Sequence, residues 1–411
     1  MNLLNSKSGR IFLVTVLYLT EGAPIGFIWW AMPTLLRQED IPIESITSLT
    51  AILILPWIFK FLWAPLIDSL RNEKRGYKFW IFISQSFMGL SLVPLIFIPV
   101  QGNFFVWGIF LLFHSFSAAT QDVSIDAMVI NVIAKNERGK LNGFMNAGML
   151  IGRSLFGGGT LIIAYELGLS YMILLLVIII ISAMSLLFFI KEPVFQSKSG
   201  NQFKTFIRNF SLSFSSKNTW LAIIFALTAA AAFEVAGGLA GPFLTDLNIN
   251  RETIGVFFAI PVVAAMFIGG LTGGYISDKM IRKKAVGIFL SGFVAAIIFI
   301  AIYNYSESSI SENIMLSAFT IMYFFVGLFT ASSYALFMDL TNPNIGGTQF
   351  STYMAATNGC EAWSVWVAGG IVAGYGYSTA FIVMCVVSLV SLLILRKIKI
   401  DQSGDNPISV Q

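Results

Sequence analysis

Long, continuous runs of apolar residues make up most of the chain, and short polar segments separate them. A helix that crosses the hydrocarbon core of a bilayer needs about 20 apolar residues, whereas membrane strands alternate over segments of about 10 residues. The pattern therefore predicts an all-α membrane protein with twelve transmembrane helices. The expected spans are 11–36, 46–67, 79–99, 104–132, 141–165, 169–190, 219–244, 254–276, 285–304, 314–338, 348–373 and 377–395.

A long polar segment after the sixth span divides the helices into two sets of six. Within this segment, the apolar residues of 203–210 recur at helical spacing, which favours a short amphipathic helix on the membrane surface; a solvated linker is the alternative. The expected organisation is an amino-terminal six-helix bundle over 1–191, a cytoplasmic linker over 192–217, a carboxy-terminal six-helix bundle over 218–399 and a cytoplasmic tail over 400–411.

The composition supports a membrane protein and excludes several other classes. Hydrophobic residues form 56% of the 411 residues, charged residues form 11%, and the mean hydropathy is +0.80. Because soluble domains carry about 25% charged residues, a soluble enzyme, a nucleic-acid-binding protein and a disordered chain are excluded. One histidine, two cysteines within apolar runs and the lack of a Walker loop or nucleophile elbow predict no metal site, no cofactor and no enzymatic activity.

The basic residues are distributed unevenly between the two sides of the membrane. With a cytoplasmic amino terminus, 21 of the 25 Lys and Arg residues lie in cytoplasmic segments, and only Arg37 and Arg251 lie in loops on the other side. The positive-inside rule therefore predicts that both termini are cytoplasmic. The remaining two basic residues, Lys60 and Arg153, lie within spans.

Acidic residues recur at matching positions in the two halves. Glu21 and Glu234, in the first and seventh spans, are 213 positions apart, and Asp126 and Asp339, in the fourth and tenth spans, have the same separation. The common offset suggests a duplicated six-helix unit. Parallel repeats of this kind form the two halves of major facilitator transporters.

A second repeated feature lies at the cytoplasmic ends of the second and eighth spans. Asp68 precedes a basic loop that includes Arg75, and Asp278 precedes a basic loop that includes Arg282. Together with Lys60 in the second span, these residues are candidates for a gate or latch. Such a latch would hold the inner ends of the helices together when the outer face is open.

Several motifs are shared with one transporter family. They are Glu21-Gly-Ala-Pro24, residues 60–68, residues 117–127, Glu137-Arg138-Gly139, residues 148–153 and residues 347–350. On these motifs, the chain resembles the major facilitator superfamily and, within it, the AmpG-like muropeptide permeases and their acetyl-CoA transporter relatives. The matches are densest over residues 20–160. The resemblance implies a fold of two six-helix bundles around a central substrate path.

Seven ionisable residues lie within the predicted spans, away from the helix ends. An ionised side chain at the bilayer centre costs about 2.5–3.5 kcal/mol even on a lenient insertion scale, so these residues are expected to face one another or a wet cavity. Transporter folds place such a cavity near the midplane, between the two halves. The seven residues are Glu21, Lys60, Asp122, Asp126, Arg153, Glu234 and Glu361.

The fourth span carries two of these acids on one face. Asp122 and Asp126 are four residues apart, with Gln121 beside them. Because two neighbouring carboxylates outside bulk water disfavour double ionisation, the pair suits proton coupling. The alternative is that one or both aspartates pair with Lys60 or Arg153 and simply hold the helices together.

The first and seventh spans carry the other two candidates for proton coupling. Pro24 follows Glu21, and a glycine-rich segment follows Glu234, so both helices are locally deformable. The resemblance implies that spans 1, 4, 7 and 10 line the cavity, which would bring both glutamates to the substrate path. The alternative for either glutamate is a protonated carboxyl in an interhelical hydrogen bond.

Five residues are candidates for substrate binding. Arg153 can engage a carboxylate or phosphate through its guanidinium group, although pairing with an internal acid is an equal alternative. Gln121 and Glu361 are polar candidates within spans. Trp29 and Trp30 suit stacking on a sugar ring, with an interfacial aromatic belt as the alternative.

These features predict a secondary transporter that works by alternating access and uses a proton gradient rather than a cofactor. The buried acids on corresponding helices predict proton symport across the bacterial cytoplasmic (inner) membrane. The resemblance implies a cell-wall anhydromuropeptide as the substrate; another bulky anion or peptide, such as a CoA ester, is the alternative substrate. A non-transporting membrane sensor or scaffold is the alternative from another class. The expected partners are a small-molecule or glycopeptide substrate and the lipid bilayer, without nucleic acid, and the protein is expected to be a monomer.

Overall fold

The computed structural model describes residues 2–69, 76–132, 135–192, 208, 214, 216–306, 310–341 and 346–399. Every regular element within these residues is a helix. The amino-terminal half contains six membrane helices that agree with the first six predicted spans. They are α1 (Lys7–Gln38), α2 (Ile43–Ser69), α3 (Tyr77–Phe97), α4 (Phe104–Val132), α5 (135–167) and α6 (Leu169–Phe189).

The carboxy-terminal half repeats this arrangement. Its last two helices follow each other without a loop in the segment Gly346–Lys397. Gly376, with a φ of 80°, interrupts this segment and separates the two helices. Glycine adopts this left-handed conformation without steric cost. The prediction of twelve membrane helices is therefore confirmed. The second six are α7 (217–246), α8 (Arg251–Lys279), α9 (Arg282–Ser306), α10 (Glu312–Asp339), α11 (346–375) and α12 (377–397).

The outer surface of the bundle is apolar along the helices. Large side chains such as Phe97, Phe105 and Phe188 are mostly exposed, while the buried core lies between helices. A water-soluble protein would not leave so many large apolar residues uncovered, and a lipid bilayer is the solvent that accepts them.

The two ends of the helical bundle differ in charge. The basic end carries both ends of the described chain; there Asn2 donates to the Lys191 carbonyl (3.1 Å) and Lys283 donates to the Arg396 carbonyl (3.0 Å). We call the other end, where α11 turns into α12 at Gly376, the opposite end. The amphipathic helix expected within 203–210 lies outside the described residues, apart from position 208.

Three helices each contain one π-helical turn on the side of the midplane nearer the opposite end. The turns are Phe27–Ala31 in α1, Ser154–Gly158 in α5 and Phe258–Val262 in α8. Pro261 lies inside the third turn, where a missing backbone N–H interrupts the regular helical bonding. Turns of this type are frequent at functional sites, because they change the direction of the side chains that follow.

Candidate functional site

Four of the seven intramembrane charged residues lie together inside the amino-terminal half. This amino-terminal cluster consists of Glu21 on α1, Lys60 on α2, and Asp122 and Asp126 on α4. Lys60 forms an ion pair with Asp122, and the Tyr18 hydroxyl donates to Asp126. Glu21 is only 4% exposed, and its Oε2 has no hydrogen-bond partner among the described residues. Three carboxyl groups therefore share one lysine.

Close packing between α1 and α5 sets the position of this cluster. Gly22, next to Glu21, lies against the main chain of Met149, and Gly152 lies against the main chain of α1 at Leu19. A Cβ atom at either glycine would overlap that backbone, so only glycine permits this approach. With Gly22 pressed against α5, the neighbouring Glu21 reaches the charged residues of α2 and α4.

A buried polar layer adjoins the cluster. Gln121 is fully buried, and neither of its amide atoms has a hydrogen-bond partner among the described residues, so it does not line a wide cavity in this state. Gln85 on α3 donates to Thr20 on α1 (3.3 Å). His114 contacts the Met88 carbonyl through Nδ1 (3.0 Å), which makes it a packed, hydrogen-bonded histidine.

The other three intramembrane charges meet where the two halves face each other. This interface cluster consists of Arg153 on α5, Glu234 on α7 and Glu361 on α11, which interact electrostatically. The Trp29 side chain, also from the amino-terminal half, interacts with Glu361. No ion pair within 4.0 Å that joins described residues includes Arg153, and its buried Nε has no hydrogen-bond partner among them.

Tyr334 on α10 lies within electrostatic range of both clusters. It interacts with Lys60 of the first cluster and with Arg153 and Glu234 of the second, and it is 40% exposed. The Lys60 side chain is 27% exposed. Because charged groups at this depth do not face lipid, their exposed surface must face a cavity between the halves.

Ionic and polar contacts close this cavity at the opposite end. Arg37 Nε on α1 lies 2.7 Å from Asp246 Oδ1 on α7, and the Tyr377 hydroxyl donates to Asp246 Oδ2 (2.8 Å). Arg251 on α8 donates to the Gln38 side chain. The Arg37–Asp246 and Arg251–Gln38 contacts join the amino-terminal half to the carboxy-terminal half.

The three π-helical turns meet beside these contacts, on the side nearer the midplane. Trp30 on α1 stacks on Phe258 on α8, with ring centroids 5.4 Å apart and planes 13° apart. The Ser154 hydroxyl on α5 donates to the Ala259 carbonyl (2.6 Å). Gly158 lies against the main chain of α8, where a Cβ atom would overlap Ala259. These contacts hold α1, α5 and α8 together and seal the opposite end between the two halves.

Two of the predicted latch residues, Asp278 and Arg282, lie at the basic end. Arg282 pairs with Asp339 on α10 (2.8 Å) and with Asp278 (3.3 Å), so both contacts are within the carboxy-terminal half. Arg75 and the side chain of Asp68 lie outside the described residues. Lys60, which the sequence grouped with the latch, lies instead beside Asp122 in the amino-terminal cluster.

The structure separates positions that looked equivalent in the sequence. Asp126 lies in the buried cluster, whereas Asp339, 213 positions later, pairs with Arg282 at the basic end. Trp30 is 7% exposed and packs between the halves, so an interfacial belt is wrong for this residue. Tyr18 was missed, because a tyrosine at the start of an apolar run gives no signal that distinguishes it from core residues.

Comparisons with known proteins agree with this architecture. A family model described as the Major Facilitator Superfamily matches residues 12–239 and, in a second match, residues 223–408. A putative transporter AmpG 4 from Rickettsia conorii is 24% identical over 409 residues, covering 95% of this chain and 96% of the relative. An anhydromuropeptide permease from Escherichia coli strain K12 is 23% identical over 426 residues, covering 97% of this chain and 82% of the relative.

Solved structures share the fold at lower sequence identity. A crystal structure of a D-xylose–proton symporter has a TM-score of 0.75 and 12% identity, covering 94% of this chain and 97% of that one. An inward-open xylose transporter from E. coli has a TM-score of 0.74 and 12% identity, covering 96% and 97%. At this level of identity the likeness shows the fold alone, two six-helix bundles that enclose a central path.

Proposed function

The chain belongs to the major facilitator superfamily, and from this premise we propose that it is a proton-coupled symporter that imports an anhydromuropeptide-type solute by alternating access. A transporter of this kind needs a site for the proton, a site for the solute and two alternately closed ends. The amino-terminal cluster, the interface cluster and the closed opposite end correspond to these three parts.

The amino-terminal cluster is the observation that carries the proposal. Fully ionised, it would hold three negative charges and one positive charge inside the membrane, and an uncompensated charge there is costly. Lys60 compensates Asp122, and the Tyr18 hydroxyl donates to Asp126. Glu21 has no cation or hydroxyl of its own: its side chain meets Asp122, a second acid, and its Oε2 has no hydrogen-bond partner among the described residues, so we assign the exchangeable proton to Glu21.

The proton acts on transport through the charge of this cluster. A proton that enters from the opposite end, when that end is open, neutralises Glu21, which reduces the net negative charge of the cluster and lowers the cost of enclosing it. The solute binds between the halves, which then rock to the state open at the basic end. Release of both ligands there leaves Glu21 ionised again, so the next inward step requires a new proton, and the two ligands are coupled through one conformational equilibrium.

The name of one relative supports an anhydromuropeptide as the solute. The E. coli permease that carries this name matches along 97% of the chain. Three residues of the motifs shared with this family also lie together in one cluster of the fold. They are Glu21, Lys60 and Asp122. Another bulky anion, such as a CoA ester, is also compatible with the guanidinium group of Arg153, whose Nε has no hydrogen-bond partner among the described residues.

We further propose that the basic end faces the cytoplasm of a bacterial cell, since the positive-inside rule places Lys and Arg on that side. Single cysteines at Asp40 and Lys397, in a variant without Cys360 and Cys385, test this orientation. A membrane-impermeant thiol reagent added to intact cells should label the cysteine at 40 and not the cysteine at 397.

Uptake by proteoliposomes tests the transport function. Purified protein is reconstituted, and a labelled anhydromuropeptide is offered with and without an inward proton gradient. We expect accumulation that depends on the gradient, with Asp122→Asn and Asp126→Asn reducing it at least tenfold. Glu312→Gln, at an exposed position near the opposite end, is the control variant and should leave accumulation unchanged.

Different failures identify different errors in the proposal. Gradient-driven uptake that persists unchanged in the Asp122, Asp126 and Glu21 variants would refute proton coupling through this cluster. Transport of CoA esters but not of the anhydromuropeptide would keep the class and replace the substrate. Absence of flux for every solute would favour the sensor or scaffold.

A further inference from the structure

The interface cluster brings opposite charges together from the two halves of the protein. Arg153 belongs to α5 of the amino-terminal half, whereas Glu234 and Glu361 belong to α7 and α11 of the carboxy-terminal half. The three groups interact electrostatically across the cavity. None of the ion pairs between described residues joins them, so the charges face each other without closing on each other.

The unpartnered Nε of Arg153 points to an anionic ligand group. A guanidinium group has five N–H donors and no acceptor, and it binds carboxylate or phosphate through paired hydrogen bonds. The buried Nε of Arg153 lacks any such partner among the described residues. The other intramembrane cation, Lys60, already pairs with Asp122. Arg153 is therefore the cation that remains for a ligand in this cavity.

The two glutamates favour a cationic ligand group on the facing wall. Glu234 and Glu361 are close enough to repel each other, and Arg153 offsets only one of the two negative charges. An ammonium group between the carboxylates would remove this repulsion and supply three hydrogen-bond donors. The aromatic rings of Trp29 and Tyr334 lie beside these charges and offer apolar and cation–π contact.

We propose that the interface cluster is the binding site for a dipolar substrate, whose carboxylate or phosphate group binds Arg153 and whose ammonium group binds Glu234 and Glu361. This inference rests on the proposed transport function and adds the charge class of the solute. The two charged groups of the ligand bind different halves of the protein. A dipolar ligand therefore bridges the halves, whereas a ligand with one charged group binds only one side.

The site differs from the proton site in its structure. In the amino-terminal cluster, the cation and two of the three acids already have partners from within one half. In the interface cluster, none of the ion pairs between described residues includes Arg153, Glu234 or Glu361, and both halves contribute. Glu234, which the sequence assigned to proton coupling, is thereby assigned to the substrate.

Matched ligands test the proposal by calorimetry on the full-length protein in nanodiscs. The parent probe is an anhydromuramyl tripeptide that ends in lysine. The second probe carries an acetyl group on the lysine ε-amine, and the third carries amides in place of its carboxylates. A sugar-free tripeptide of the same sequence, N-acetylated so that the lysine ε-amine is its one ammonium group, forms a parallel set. We expect the dipolar parent to bind about 10- to 100-fold more tightly than either modified form, as loss of a charged hydrogen bond predicts.

Variants assign each end of the ligand to its partner. Arg153→Gln should remove the preference for the free carboxylate and keep the preference for the free amine. The double variant Glu234→Gln with Glu361→Gln should do the reverse. A merely structural role would weaken all probes equally. Arg396→Gln and Glu312→Gln, both at exposed positions outside the cavity, are the controls and should leave every preference unchanged.

The outcomes distinguish this inference from the proposed function. Equal binding of the acetylated or amidated probe and the parent would overturn the dipolar site, even if anhydromuropeptide transport is established. The expected preferences in the sugar-free set, without binding of the sugar-bearing set, would support the dipolar site and reject the anhydromuropeptide as substrate. Failure of both dipolar parents to bind would overturn the dipolar site.

Discussion

Arg37 and Asp246 come from different halves of the chain and form an ion pair of 2.7 Å at the opposite end. The second carboxylate oxygen of Asp246 accepts a hydrogen bond from Tyr377 (2.8 Å), so both oxygens of this group are engaged. The pair lies farther from the midplane than the three π-helical turns, which pack α1, α5 and α8 together. Together with the Arg251–Gln38 contact, it holds the two halves against each other at the opposite end.

Asp246→Asn should favour opening at the opposite end. Partly exposed ion pairs contribute up to about 1 kcal/mol, which corresponds to a shift of roughly fivefold in a conformational equilibrium. A cysteine placed at Thr34, a fully buried position against Gly241, should react faster with a thiol reagent applied from that side. The background for this measurement lacks Cys360 and Cys385.

The control for this measurement is Asp40→Asn. Asp40 is exposed at the same end, and its φ of 58° is one that asparagine accepts readily. It should leave the labelling rate at position 34 unchanged. If Asp246→Asn and Asp40→Asn label at the same rate, the ion pair does not hold the opposite end closed.

Gly158→Val should separate the two halves more strongly. Its side chain would overlap the main chain of Ala259, and backbone cannot move away as a flexible side chain can. Overpacking costs about 1–3 kcal/mol, and here the closed state alone bears that cost. We expect transport to fall, and the distance between spin labels on α5 and α8 at the opposite end to increase. Gly270→Val, which meets open space, is the matched control.

Lys60→Gln should destabilise the protein by leaving Asp122 unpaired in the membrane interior. Breaking a buried ion pair from one side costs about 3–5 kcal/mol, with the lower value expected here because Lys60 is partly exposed. The double variant Lys60→Gln with Asp122→Asn should recover most of the thermal stability in detergent. If the recovered double variant also retains gradient-driven uptake, the pair is only a lock between helices.

Glu21→Gln should uncouple transport without preventing it. A glutamine keeps the size of the side chain but holds the site permanently neutral, so the halves can still exchange conformations. Solute exchange across the membrane should persist, whereas accumulation driven by a proton gradient should fall at least tenfold. Accumulation that continues at the level of the unmodified protein would show that another acid carries the proton.

Much of the fold could be read from the sequence because the bilayer imposes a strong constraint. Each helix must be long and apolar, and the basic residues must collect at one end, so span positions and their pairing into halves follow from local patterns. The seven charged positions within the spans followed from the same constraint, since each departs from an apolar background. Tyr18, Gly158 and Asp246 offered no comparable signal, because their importance depends on what they touch.

The sequence by itself determined that the chain spans a membrane twelve times, that it consists of two six-helix halves and that its intramembrane charges require partners. The tertiary structure decided which charges are partners. It placed Lys60 beside Asp122, grouped Arg153 with Glu234 and Glu361 instead, and closed the opposite end through Arg37 and Asp246. The reason is physical: hydrophobicity acts along each helix, whereas charge pairing depends on the rotation and contact of helices that are far apart in the chain.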